Sequence, residues 1–188
     1  MTLRSEADLP AIVRASHGLE VVLGDLGTVH KVRSEITDGH MAVIEHSLPP
    51  GRLAAPLHRH SREDEISYVL AGQMGALLGG RVVQARAGAY VVKPRGQWHT
   101  YWNAGDTELR LMELLVPGGF EVCLERLAAA LAAGGAVDLR AIEQIGVEHG
   151  VEFDFASVED ICTHFGVRLA HWPVHAPRRA AQGGDGEP

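Results

Sequence analysis

Three imidazoles and one carboxylate, His58, His60, Glu65 and His99, stand at spacings that suit a metal site. Side chains two apart on a β-strand point to the same face, so His58 and His60 look into one space while Arg59 looks out. The polar run Ser61-Arg62-Glu63-Asp64 reads as a turn that returns the chain, and Glu65 then opens the next strand. If Glu65 faces inward, alternation carries Ser67 and Val69 with it. His99 opens a later strand behind the Pro94-Arg95-Gly96 turn, with Tyr101 and Asn103 on its side. Neutral imidazole keeps a lone pair near neutral pH, and imidazole with carboxylate suits a divalent Fe, Mn, Ni, Cu or Zn ion. Four protein donors leave open positions on a five- or six-coordinate ion, which marks a catalytic and not a structural site. Glu65 has a second expected role, because a carboxylate that loosens from the ion can act as general base for a substrate hydroxyl.

Donors on separate strands meet only where the sheet curls around them, and a small barrel with an interior cavity supplies that geometry. The first two thirds of the chain are punctuated for it. Most of the 22 glycines and 9 prolines fall between short apolar runs, and turn signals recur roughly every ten residues. Strands are expected at Leu19 to Leu23, Thr28 to Val32, Met41 to Ile44, Ile66 to Leu70, Ala89 to Val92, His99 to Asn103 and Leu109 to Leu115. Gly79-Gly80, between Gly75 to Leu78 and Arg81 to Gln84, predicts a two-residue hairpin turn. After Pro117-Gly118-Gly119 the period becomes helical. Helices are expected from Glu121 to Ala133, from a cap at Asp138 to Glu148, and from a cap at Ser157 onward. The expected division is a lead-in over 1–18, a barrel over 19–117, a helical appendage over 118–175 and a disordered tail over 176–188.

The stretch Gly51, His58-Arg59-His60, Glu65, Gly72 resembles the first signature of the cupin superfamily. The stretch Gly88, Pro94-Arg95-Gly96, His99, Asn103 resembles the second, with every spacing matched. One departure lies in the first stretch, where six residues instead of five separate Gly51 from His58. The segment between the signatures, Gln73 to Ala87, is short, as in compact bacterial cupins. The flanking strands and the helical C-terminal part are similar to small bacterial quercetin-dioxygenase-like cupins. The resemblance implies a mostly β fold, a double-stranded β-helix or jelly-roll barrel followed by a C-terminal helical appendage. It also implies metal ligation by His58, His60, Glu65 and His99, and dioxygenase chemistry on a small phenolic or enolic compound. Two other readings stay open: a non-oxidative isomerase, lyase or cyclase, and a small-molecule binding module without turnover.

Composition narrows the classes further. A chain of 188 residues with 46% hydrophobic content is one globular domain with additions. A net charge of −7, from 17 Lys and Arg against 24 Asp and Glu, argues against nucleic acid and anionic membrane as partners. The partners expected are a small-molecule substrate and a second copy of the chain, paired through the N-terminal strands at residues 19–46 into a homodimer. Cys123 and Cys162 are too few for a disulfide framework and are expected to be buried. With no signal-like start near Met1 and no membrane-length apolar run, a cytoplasmic location is the expectation. Tyr101 either lines the cavity, as a proton donor or stacking surface, or packs as core. Trp102 should face away from His99 and pack against another layer or a subunit. His17, His30, His40, His46, His149, His164, His171 and His175 lack partners at ligand spacing and read as solvated or singly hydrogen-bonded.

Overall fold

Alternating apolar and polar residues build the strands from which the site hangs. The computed structural model describes residues 12–132 and 138–170 and begins with a hairpin of β1 (Leu19–Leu23) and β2 (Leu26–Val32). A 3-10 helix over Ser34–Thr37 ends at Asp38, whose φ of 51° makes the turn expected at Asp38-Gly39. Next come β3 (Ala42–Leu48) and the short β4 (Arg52–Leu53) and β5 (Leu57–His60). β6 (Asp64–Ala71), β7 (Gln73–Leu78), β8 (Arg81–Arg86) and β9 (Tyr90–Lys93) follow, then β10 (His99–Asn103) and β11 (Leu109–Val116). Gly79 and Gly80, at φ 54° and 82°, join β7 to β8, since only glycine takes two successive left-handed residues without strain.

The strands form two sheets of a jelly-roll barrel, as the mostly β reading predicts. The first sheet runs β1-β2-β3-β11-β6-β9. Its inner face carries Ala42, Ile44, His46 and Leu48 from β3, Leu109, Leu111, Glu113 and Leu115 from β11, and Glu65, Ser67 and Val69 from β6, all buried. In the second sheet β10 is flanked by β7 on one side and by β4 and β5 on the other.

The C-terminal segment differs from a purely helical appendage. It contains α1 (Phe120–Ala132), α2 (Leu139–Glu148), β12 (Val151–Asp154), α3 (Ser157–Phe165) and β13 (Arg168–Leu169). β12 pairs antiparallel with β5, and β13 pairs parallel with β4, so this segment completes the second sheet. Asp138 caps α2 as expected, accepting from the N–H groups of Arg140 and Ala141 at 3.0 and 3.3 Å. Ser157, in contrast, is the first residue inside α3 and not its cap. The cap position is Ala156, which makes no side-chain bond, and Asp154 two residues before it supplies Oδ1 to the Ser157 N–H at 3.2 Å while Ser157 Oγ donates to the Asp154 carbonyl. α1 lays Phe120, Leu124 and Leu127 over one barrel opening.

Trp102 does face away from His99. Its indole stacks on Phe165 of α3, with centroids 4.0 Å apart, and lies flat over Gly75, the one residue type that leaves it room. Among the described residues no helix is long and apolar enough to cross a membrane. The expected tail over 176–188, most of the lead-in, the last residue of the first predicted helix (Ala133), and His171 and His175 lie outside the described residues.

Candidate metal centre

Strand parity delivers the four donors to one point. His58 and His60 are both buried on β5, and Arg59 between them points out, its Nε donating to Glu152 at 2.7 Å. His99, first residue of β10, stands opposite His58 in the ladder. Glu65 enters from β6 of the other sheet, so the centre is held from both walls of the barrel. One ligand atom from each of the four residues lies within 4.8 Å of the others.

The rings are also turned correctly. His58 Nδ1 lies 2.8 Å from the Pro56 carbonyl and His99 Nδ1 3.0 Å from the Gln97 carbonyl. A carbonyl can only accept, so each Nδ1 carries the proton and each Nε2 keeps its lone pair for the centre. His60 Nε2 and His99 Nε2 stand 3.2 and 3.3 Å from Glu65 Oε2. Those approaches are ion contacts without hydrogen-bond geometry, and both nitrogens are buried with no hydrogen-bond partner among the described residues. Buried nitrogen atoms of this kind, aimed at a carboxylate oxygen, fit a cation between them. Imidazole and carboxylate donors fit a divalent first-row ion in particular.

The electrostatics favour the ligating forms of His58 and Glu65 and oppose that of His60. Burial, followed by the nearness of His99 and His60, holds the His58 imidazole well below its usual range and therefore neutral. Burial also opposes charge on His60, yet the Glu63 and Glu65 carboxylates beside it outweigh burial and push the ring up to about 9. Burial alone would raise the Glu65 carboxyl, but Lys93, His60 and His99 bring it well below the usual carboxylate range.

Several residues at the centre escaped the reading from sequence. Lys93, buried on β9 directly across from Glu65, donates to Glu65 Oε1 and, at 2.6 Å, to Glu113 Oε1. Glu113 also accepts from Ser67 Oγ at 2.9 Å, and its Oε2 lies 3.3 Å from His46 Nε2. His46 Nδ1 meets Thr28 Oγ1 at 3.0 Å. Glu63 is buried as well, 3.5 Å from His60 Nδ1, and is not part of a solvated turn. Two of the histidines expected to be solvated or singly hydrogen-bonded are interior: His46, whose hydrogen bond to Thr28 fits the second alternative, and His30, whose Nδ1 lies 3.3 Å from Glu125. His17, His40 and His164 are exposed, in line with the reading from sequence.

The two oxygens of Glu65 have different surroundings. Lys93 holds Oε1, and the rings of His60 and His99 face Oε2. Oε2 is therefore the oxygen turned to the centre, as a ligand there requires.

A cavity of about 50 Å³ adjoins the centre. His58 and Glu65 border it on one side, His46, Glu113 and Tyr101 on another, and Leu23, Phe120, Leu124 and Phe153 supply apolar wall. Tyr101 therefore lines the cavity, and burial, then Glu113 and Glu65, push its hydroxyl well above the usual phenol range and keep it a donor. The larger hollows, about 420 to 620 Å³, are open grooves on the outer surface. His58 and Glu65 border the small cavity, and His60 borders the groove of about 420 Å³ together with Arg59, Arg95 and Glu152.

The comparisons with known proteins agree with this geometry. A family model described as "Cupin domain" matches residues 44–116. An oxalate-binding protein of Thermotoga maritima is 33% identical over 69 residues, 37% of this chain and 56% of that protein, so the match spans little more than half of the relative. The crystal structure of a predicted oxalate decarboxylase from Thermotoga maritima superposes with a TM-score of 0.53 at 24% identity, covering 56% of this chain and 98% of that one. The Streptomyces nucleoside dehydratase Pac13 superposes with a TM-score of 0.50 at 15% identity, covering 61% and 88%. Both structural likenesses concern the fold alone.

Proposed function

We propose, from the premise that residues 44–116 of this chain are a cupin domain, that the protein is a metal-dependent enzyme acting on a small, oxygen-bearing metabolite. The observation that carries this reading is the convergence of His58, His60, Glu65 and His99, within 4.8 Å and from two sheets, beside a cavity that His58 and Glu65 border. A divalent ion held there would supply positive charge at a substrate oxygen, beside dioxygen or as polariser of a carbonyl. The chain's residues supply the rest. Three imidazoles and Glu65 would hold the ion. Lys93 fixes which Glu65 oxygen faces it. Tyr101 offers a proton donor, and Phe120 and Leu124 of α1 keep water from the cavity.

The leading reaction class is dioxygenation of an enolic or phenolic compound, in keeping with the motif resemblance. The cavity's size favours a second reading. About 50 Å³ suits an acid of a few carbon atoms, and the relative at 33% identity is described as binding oxalate. On that reading a small carboxylate is bound or cleaved without dioxygen.

Two measurements test the proposal. Elemental analysis of protein purified without added metal should find one divalent ion per chain, and His58→Ala or His99→Ala should lose it. Ion-loaded protein is then offered small enolic and phenolic acids and oxalate in an oxygen electrode and under nitrogen. Oxygen uptake supports the dioxygenase, anaerobic product supports the second reading, and protein that retains no ion overturns the whole. A second copy remains the proposed partner. Among the described residues β1 pairs only with β2, and its Leu19 and Val22 are exposed. Sedimentation at micromolar concentration should give a dimer.

A further inference from the structure

We propose that the outer face of the first sheet, centred on β11, β6 and β9, is the surface through which two copies of this chain pair face to face. The inference rests on the second-copy reading above and moves the contact from the β1 edge to an open sheet face on the far side of the wall from the candidate metal centre.

Strand parity sorts the residues. On β11, Met112 and Leu114 alternate with the buried Leu111, Glu113 and Leu115 and so point away from the barrel interior. On β6, Ile66 and Tyr68 alternate with Glu65, Ser67 and Val69 in the same way, and on β9, Tyr90 and Val92 alternate with Val91 and Lys93. Register sets these side chains next to one another. Val43 of β3, Leu114, Ile66 and Val92 form one row across four strands, and Met112, Tyr68 and Tyr90 form the next. The Tyr68 and Tyr90 rings lie 4.6 Å apart, and Tyr90 and Val92 are 67% and 56% exposed. The helices are committed elsewhere: α1 packs at the barrel opening against β1 and β3, α2 against β12 and α3 against β13.

Area and charge say what covers this face. A monomeric protein rarely exposes an apolar patch beyond a few hundred Å². Each sheet residue covers about 16 Å², from ~3.3 Å of rise and ~4.8 Å of strand spacing. The four strands β3, β11, β6 and β9, of four to eight residues each, therefore present roughly 400 Å², and the whole six-stranded sheet roughly 600 Å², before the relief of the side chains is added. That approaches the ~800 Å² of accessible surface that each partner of a stable complex buries. Charges stand only at the margins. Arg110 pairs with Glu45 at one margin, at 3.5 Å, and Arg95 with Asp64 at another, at 2.6 Å. A basic partner would be drawn to the acidic surface of a chain of net charge −7, and not to this neutral face. An apolar centre within a margin of paired charges is the anatomy of a protein interface. It is also its own complement, because two copies related by a two-fold axis appose it without bringing unbalanced charge together.

The test is sedimentation equilibrium of the full chain at micromolar concentration, for the wild type, for Tyr90→Lys with Val92→Lys, and for Tyr90→Glu with Val92→Glu. These side chains are exposed on the edge strand, so both double variants should keep the circular dichroism of the wild type. The wild type should sediment as a dimer, and each double variant should need a concentration at least about a hundredfold higher to pair, since like charges would then meet across the contact. Hydroxyl-radical footprinting supplies a readout that needs no variant: Met112, Tyr68 and Tyr90 should be shielded in the dimer and become reactive on dilution. A dimer that survives both double variants overturns the assignment to this face. If Val22→Lys dissociates that dimer instead, the second-copy reading stands and the contact returns to β1. Shielding that persists on dilution places the chain's own end segments on the face and overturns the proposal. A wild type that is monomeric at micromolar concentration overturns the second-copy reading and this one together.

Discussion

Replacing Lys93 by methionine asks how the barrel interior keeps its charges. The ammonium is fully buried and touches Glu65 and, at 2.6 Å, Glu113, whose side chains are 4% and 6% exposed. Methionine keeps the length and the apolar stem and removes the charge. At an effective dielectric constant of about 20, each ammonium–carboxylate contact attracts by roughly 5–6 kcal/mol, most of it cancelled by desolvation. The variant loses the attraction and keeps the buried carboxylates, so the expected destabilisation is about 3–5 kcal/mol. That is a large share of the roughly 5–15 kcal/mol that holds a typical domain folded. The pH dependence carries the sign of the argument. Glu65 is buried, yet Lys93, His60 and His99 hold it well below its ordinary 4.5. A carboxyl depressed in this way stabilises the fold above its unfolded value, and the gain is lost as pH falls through the folded value. Without Lys93 the carboxyls move upward, so the penalty is full at high pH and shrinks as acid protonates them. Adding Glu113→Gln to Lys93→Met should return part of the loss, with a coupling of about 0.5–3 kcal/mol. Urea unfolding of ion-free wild type, both single variants and the double variant at several pH values measures all of this. A Lys93→Met protein within about 1 kcal/mol of wild type at neutral pH, or a penalty indifferent to pH, refutes the charge-balance reasoning.

Three other outcomes are expected. In ion-free protein His60, raised from 6.5 to about 9, contributes stability that is complete below 6.5 and fades as pH rises through about 9. A bound ion must expel that proton, so metal uptake near neutral pH should release about one proton and tighten about tenfold per pH unit below that value; a pH-independent affinity would contradict it. Gly75→Ala sets a methyl 2.3 Å from the Trp102 indole, which Phe165 blocks from behind, so thermal or urea unfolding should show a loss of about 1–3 kcal/mol together with altered tryptophan emission. Burial pushes the Cys123 thiol up to about 12, so a thiol reagent should not label it until the protein unfolds, and fast labelling of native protein at that residue would count against the packing of α1.

Period two in the sequence was enough to bring the four candidate ligands together, because His58, His60, Glu65 and His99 occupy buried strand positions and the sheets close around them. The same parity rule also locates Lys93, His46 and Glu113. Lys93 lies two residues from Val91, His46 between Ile44 and Leu48, and Glu113 between Leu111 and Leu115, all on inner faces. They were missed because an ionisable residue in an apolar row looks like a break in the pattern, and only its cross-strand partner shows why burial is tolerated. Glu63 was not legible at all, since a carboxylate in a polar turn is normally solvated and only the fold places it under His60. β12 and β13, four and two residues long, are too short to carry a period, and the unpaired edges of β5 and β4 make them strands. Ser157 lies inside α3 and not at its cap for a related reason, as Asp154, the last residue of β12, already stands where the first turn needs an acceptor.

The pairing of β12 with β5 sets an order of events during synthesis. A ribosome that has released residues up to 117 has already delivered all four ligands, but β5, which carries two of them, still has a bare edge. Such an edge invites pairing with other chains until something covers it. Cover arrives only with residues 151–154, after two helices have emerged, so the wall that carries His58 and His60 is among the last parts of this molecule to be sealed.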